Sequence, residues 1–204
     1  MNNNYQKRKE TSAYWFNKSS DLRGAAAAVW VSLDDDVGII VTERTKLGNA
    51  FSMSAAARPV YQMLCGMALE LIFKAITVEM GEKVNESTHN LLEHVKPTKI
   101  AYCAQETELL RIFSHFITWA GRYPTPKQEK TMDDFNKLVK SNLFESVPFG
   151  SHGARTVLQP NGIMNWSSFS HLWGMACSKY FQVRNLEQIV IKQSPENSSS
   201  DEAT

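Results

Sequence analysis

The amino-acid sequence predicts an all-α protein, an up-and-down bundle of four to five main helices with two long irregular connections. Three observations lead there. Apolar residues recur at steps of three and four, most clearly at Leu64, Met67, Ala68, Leu71, Ile72, Ala75 and Ile76, which places them on one face of a helix. No stretch alternates apolar and polar residues long enough for a sheet. Gly81 and Gly121 sit where helices would stop, and Pro124 and Pro126 turn the chain away.

Residues 1–11 are polar and read as a flexible tail, with Lys7, Arg8 and Lys9 too few for a nucleic-acid arm. The first helix spans Ser12 to about Leu33; Trp15, Leu22, Ala25, Ala26, Val29 and Trp30 form its stripe. Asp34, Asp35 and Asp36 oppose the dipole at that helix's C-terminus and are expected to end it as a solvated turn. Residues 37–53 form the first long connection, in which Ile39, Ile40 and Val41 fit a short extended piece. The second helix is expected to start near Arg58, because Pro59 is tolerated only in a first turn, and to stop at Gly81 in the left-handed conformation. A loop carries Thr88, His89, Asn90 and Leu91. Lys96, Pro97 and Thr98 then restart a helix that runs to about Ala120 and ends at Gly121. Thr131 with Asp134 resembles a capping box for a helix through Leu143. Residues 145–164 form the second irregular connection, and a last helix covers about Trp166 to Val190. Residues 12–192 thus read as one domain, and 193–204 as a disordered tail.

Composition removes several classes of function. Lys and Arg number 22 against 21 Asp and Glu, a net charge of +1, so no global field draws in nucleic acid or an anionic membrane. Cys65, Cys103 and Cys177 are far apart, without a CxxC pair, and each fits a small buried hydrophobe in a helix. An odd count and a polar N-terminus without an apolar leader favour a reducing, cytoplasmic setting. No apolar run approaches the ~18 residues of a membrane span, so no membrane partner is expected. No metal or cofactor motif is present, and no cofactor is expected.

Three segments then stand out together: YWFNKSSDLRGAAAAVW; PVYQMLCGMALELIFKAITVEMG followed by THNL; and WAGRYPTP. In combination they resemble bacterial members of the HEPN (higher eukaryotes and prokaryotes nucleotide-binding) superfamily. In that family an A-x-E-x-x-x-K helix is followed by THxL and later by an RYP turn. The matching positions are Ala68, Glu70 and Lys74; Thr88, His89 and Leu91; Arg122, Tyr123 and Pro124, across residues 12–126. The resemblance implies a helical bundle, often dimeric, in a family of metal-independent ribonucleases and toxins, catalytically silent antitoxins or regulators, and nucleotide-binding partners of nucleotidyltransferases. Its active ribonucleases carry an Arg, usually followed by a polar residue, with a His further on. Here only three residues separate Arg111 from His115, Ile112 follows the Arg, and the family's nuclease motif is missing.

The residues thus point first to a non-catalytic HEPN-like interaction or regulatory domain, self-associating as a dimer and binding a partner protein, nucleotide or RNA, in a toxin–antitoxin or phage-defence setting. His89, Arg122, Tyr123, Glu70 and Lys74 are its candidate binding residues. The alternative is a metal-independent endoribonuclease using Arg111 and His115, one helical turn apart, or Arg122 with His89 brought near in space. For each residue there is also a structural role: Glu70 and Lys74 as an ion pair, His89 sealing the loop onto the bundle, and Arg122 bonding helix-terminal carbonyls. His152 and Arg155 in the Gly-rich loop are lesser candidates for nucleic-acid contact. A third reading, a small-molecule-binding bundle, rests on the connections 37–53 and 145–164.

Overall fold

The structure, a computed structural model, describes residues 3–48, 50–149 and 155–193. Its α-helices are α1 (Asn3–Glu10), α2 (Ser12–Val31), α3 (Asp35–Thr45), α4 (Met53–Glu79), α5 (Leu91–Thr98), α6 (Ala104–His115), α7 (Glu129–Leu143) and α8 (Trp166–Gln193). A π-helical turn, Phe116–Ala120, continues α6, and strands β1 (Phe144–Phe149) and β2 (Arg155–Pro160) form one hairpin. The fold is a mostly helical bundle.

Helix α4 runs through its centre, touching α2, α3, α5, α6 and α8. From Ala57 to Thr77 most of its residues are buried, on every side, as expected for a helix that is apolar almost all round. Length and composition alone would let α4 cross a membrane, so the sequence-based statement about apolar runs needs correcting. Yet 72% of its most apolar window is buried by neighbouring helices, the condition of a core helix. Helix α2 lies against it through small residues: Ala26 is fully buried, and Ser19 Oγ donates to the Ala68 carbonyl at 2.7 Å. The Trp173 indole donates in turn to Ser19 Oγ at 2.9 Å, tying α2, α4 and α8 at one point. Phe16 stacks on Tyr180 (4.6 Å) and Phe113 meets Phe169 edge-on (6.4 Å), closing α2 and α6 onto α8.

Several expected boundaries move. The triple Asp does not merely end the first helix; Asp34 caps a new one, accepting from the Asp36 and Val37 amides, and Asp35 and Asp36 fill the first turn of α3. Acidic residues favour that end of a helix, so the connection expected at 37–53 is mostly helical. Helix α4 starts at Met53, capped by Ser52, with Pro59 inside it. The carbonyl deprived of a donor by Pro59 belongs to exposed Ala55, where water replaces the lost bond at little cost. At its far end Gly81 (φ +74°) closes a double-bonded cap, its amide reaching Val78 and that of Glu82 reaching Thr77.

The expected helix 96–120 is two helices. Asn90 caps α5 by accepting from the Leu92 amide, Lys99 turns left-handed (φ 57°), and α6 begins only at Ala104. Helix α7 starts at Glu129, ahead of the expected Thr131 cap, and ends as expected at Leu143. Within the expected irregular 145–164 segment, β1 pairs antiparallel with β2 from Phe144↔Pro160 to Phe149↔Arg155. Asn3–Glu10, read from sequence as a tail, forms α1; the Lys9 ammonium meets Glu86 at 2.6 Å, and Trp15 donates to the Lys9 carbonyl. Cys65 is buried, but Cys103 is exposed and Cys177 half-buried, so the common buried role expected for the three holds only for Cys65. Gly150, His152, Gly153 and residues 194–204 lie outside the described residues.

Candidate functional site

The site is built where the C-terminal half of α4, the loop before α5, and the junction of α6 with the π-turn converge. Its floor is a buried ionic cluster on α4. Glu70 and Lys74 are one turn apart and only 5% and 7% exposed, with Lys74 Nζ 2.5 Å from Glu70 Oε1. The other carboxylate oxygen accepts from His89 Nδ1 at 3.0 Å. His94 lies under the same loop, its Nε2 donating to the Thr88 carbonyl at 3.0 Å and standing 4.0 Å from Glu70 Oε1. Lys74 also lies 5.7 Å from the Trp15 ring centre. Burial by itself would push the Glu70 carboxyl up; the hydrogen bonds and charges of Lys74 and His89 outweigh it and hold the carboxyl below its ordinary range. For His94, burial, helped by the Lys74 charge, outweighs the Thr88 carbonyl and the nearby Glu70 and Glu93 and holds the ring's pKa below the ordinary imidazole value.

Beside this cluster, and sharing His89 with it, is a groove of about 650 Å³ lined by Thr88, His89 and Asn90 from the loop, Arg111, Ser114, His115, Thr118 and Trp119 from α6 and the π-turn, and Thr131, Asp134 and Leu138 from α7. Ser114 positions the loop, its Oγ accepting from the Leu91 amide at 3.0 Å. Phe135 anchors α7, with its ring centre 5.0 Å from that of His115, 5.7 Å from Phe116 and 5.3 Å from Trp119. The π-turn brings Gly66 of α4 against Ile117: a Cβ at Gly66 would lie 2.7 Å from Ile117 Cγ1 and 3.0 Å from the Phe113 carbonyl. Such π-turns frequently mark functional sites.

The two histidines of the groove are held in opposite senses. The Trp119 indole N–H can only donate, and it meets His115 Nδ1 at a long 3.4 Å. Neutral His115 therefore carries its proton on Nε2 and offers a donor. Burial, only partly countered by Asp134, lowers its tendency to become charged. His89 is the reverse: Nδ1–H is spent on Glu70, so that in the neutral ring the lone pair lies on the half-exposed Nε2. Arg111 is half-exposed and lies 3.4 Å from Glu108.

A smaller pocket of about 280 Å³ adjoins the groove and brings His89 and Glu70 together with Arg122, among Met63, Met67, Leu71 and Ile117. Arg122 Nη2 donates to the Thr118 carbonyl at 2.8 Å. Tyr123 is exposed, 5.5 Å from the Arg122 guanidinium, and lines neither space; it belongs to a separate hollow with Pro124 and Pro126. Of the sequence-predicted residues, Arg111, His115 and His89 share the groove, and Glu70, His89 and Arg122 share the pocket, while Lys74 serves from beneath. His94, Ser114, Trp119 and Phe135 escaped the sequence reading. The spacing of His115 and Trp119, four apart on one helix, was the available signal for their pairing.

Comparison with protein-family models, curated proteins and solved structures gives no match to this chain.

Proposed function

We propose that this chain is a HEPN-like interaction domain without catalytic activity, self-associating, whose groove takes a phosphate-bearing ligand, a nucleotide or a segment of RNA. The observation that carries this reading is the state of His115. With Nδ1 facing the Trp119 indole, its ring favours offering a proton over a lone pair, which suits the Arg111/His115 pair to holding an oxyanion better than to general-base work. Arg111 supplies the charge and His115 Nε2–H a second donor, the complement of a phosphate oxygen. Asp134 across the groove and Glu108 beside Arg111 offset part of that charge, which favours modest, salt-sensitive affinity. Titration of labelled single-stranded RNA and of nucleotides into the protein tests it. Binding lost in Arg111→Ala/His115→Ala supports the reading, and absence of any RNA or nucleotide binding overturns it.

One specific observation favours a second reading, a metal-independent ribonuclease working through the adjoining pocket. The buried Glu70 carboxylate orients His89 with Nε2 free, the arrangement of a general base, and Arg122 lines the same pocket. His89 would take the proton of a ribose 2′-OH; the 2′-oxygen–phosphorus bond forms, the bond to the 5′-oxygen breaks with that oxygen taking a proton from water, and a 2′,3′-cyclic phosphate and a 5′-hydroxyl result. Cleavage in EDTA that His89→Ala abolishes and His115→Ala leaves intact would select this reading over the first.

A further inference from the structure

Helix α3 is amphipathic in the wrong sense for its place. Against α4 and its approach it buries only Gly38 and Thr42, and a Cβ at Gly38 would meet Met53 Cβ at 3.2 Å and the Ser32 carbonyl at 3.3 Å. The close packing is made by the small residues, and the large apolar ones face out: Ile39 is 57% and Ile40 49% exposed. At ~100° per residue, Ile40 lies nearly opposite the buried pair, with Asp36 one turn before it and Arg44 one turn after it on the same exposed side. Charge follows the same axis. The acidic residues Asp35 and Asp36 occupy the first turn and Arg44 the last. Among the described residues, neither Asp36 nor Arg44 makes an ion pair within the chain.

We infer that this face is an isologous interface between two copies of the chain, with the two α3 helices antiparallel and Ile40 at the two-fold axis. Asp36 and Arg44 are equidistant from Ile40 in sequence, so an antiparallel copy sets Asp36 opposite the partner's Arg44 and Arg44 opposite the partner's Asp36. The same arrangement places each acidic, dipole-positive helix start beside a basic, dipole-negative end. Ile40 of each copy covers its counterpart at the axis. A helix of this length reaches only about 16 Å, short of the ~800 Å² per partner of a standard interface. The contact is therefore a small one, and the dimer is weak and concentration-dependent. The inference rests on the self-associating part of the proposed function and is independent of what the groove binds.

The test is sedentation by analytical ultracentrifugation of the full chain and three variants, each checked by circular dichroism. Ile40→Asp sets two carboxylates on the axis, and dimerisation is expected to weaken about a hundredfold. Asp36→Arg and Arg44→Asp each turn both cross-pairs into like charges, weakening dimerisation about tenfold. Mixing these two variants in equal amounts restores both opposite-charge pairs, so a heterodimer near wild-type affinity is expected, a result that damaged folding cannot produce. A wild-type dimer indifferent to all three changes overturns this face while keeping self-association. A wild-type monomer at hundreds of micromolar overturns both.

Discussion

Glu70 is the residue whose removal tests the architecture of the site most sharply. Its carboxylate is 5% exposed and is shared by Lys74 at 2.5 Å and His89 at 3.0 Å. Glu70→Ala leaves the Lys74 ammonium, itself 7% exposed, buried without its counter-ion. Breaking a buried pair from one side costs about 3–5 kcal/mol, because the survivor keeps its desolvation penalty and loses the compensation. His89 adds little to that loss, since its half-exposed ring is hydrated when released. For a chain of this size the melting temperature falls about 2–4 °C per kcal/mol, so a drop of roughly 6–20 °C is expected. Lys74→Met costs less, because His89 still bonds the carboxylate. The double variant Glu70→Leu/Lys74→Met, which replaces the ions by apolar groups of similar volume, recovers most of the stability of the wild type. Urea unfolding of the four proteins measures each of these differences from the wild type. Glu70→Ala within 1 kcal/mol of wild type, or a double variant as unstable as Glu70→Ala, would refute a buried, mutually dependent pair.

Acid sensitivity follows from the same groups. Glu70 titrates below its ordinary 4.5 in the folded chain, and His94 and His115 below 6.5, so the unfolded chain binds more protons in each range. Stability is then full above about pH 7, declines as pH falls below 6.5, and declines again below 4.5; unfolding free energy rising on acidification through either range would contradict this, and His94→Gln should flatten the upper stage. Gly66→Ala forces a Cβ to 2.7 Å from Ile117 and 3.0 Å from the Phe113 carbonyl and is expected to cost about 1–3 kcal/mol, whereas Gly24→Ala, with open space around it in α2, should stabilise by about 0.5–1 kcal/mol in thermal melts. Trp119→Phe removes the donor facing His115 Nδ1, so the proton of the neutral ring should redistribute between its two nitrogens, read by nitrogen-15 NMR; an unchanged tautomer would mean that the indole does not set it.

How much of this was readable in the sequence depends on range. The stripes of α4 and α8 and the stops at Gly81 and Gly121 are local, and periodicity with glycine punctuation expresses them directly. Helix α3 was read as partly extended because its apolar residues, VGIIV, cluster without helical spacing; they do so because the helix packs through Gly38 and Thr42. The break between α5 and α6 depends on the Asn90 cap and on Lys99 in a left-handed turn, a conformation rare for lysine and invisible to pattern. Phe144–Pro160 escaped because pairing across a hairpin is non-local and the exposed strands show no buried alternating face. Within the site, the spacing of Glu70 and Lys74 revealed their pairing. The approach of His89 and His94 to that pair, and of Phe135 to His115, joins different elements and required the three-dimensional structure.

The central claim, a groove that holds phosphate without cutting it, is tested most directly by incubating the purified chain with labelled single-stranded RNA in EDTA and reading anisotropy and strand integrity on the same sample. The account predicts salt-sensitive binding that Arg111→Ala/His115→Ala removes, with every strand intact. Strands cleaved by wild type and left whole by His89→Ala would contradict it and make the Glu70–His89–Arg122 pocket an active site.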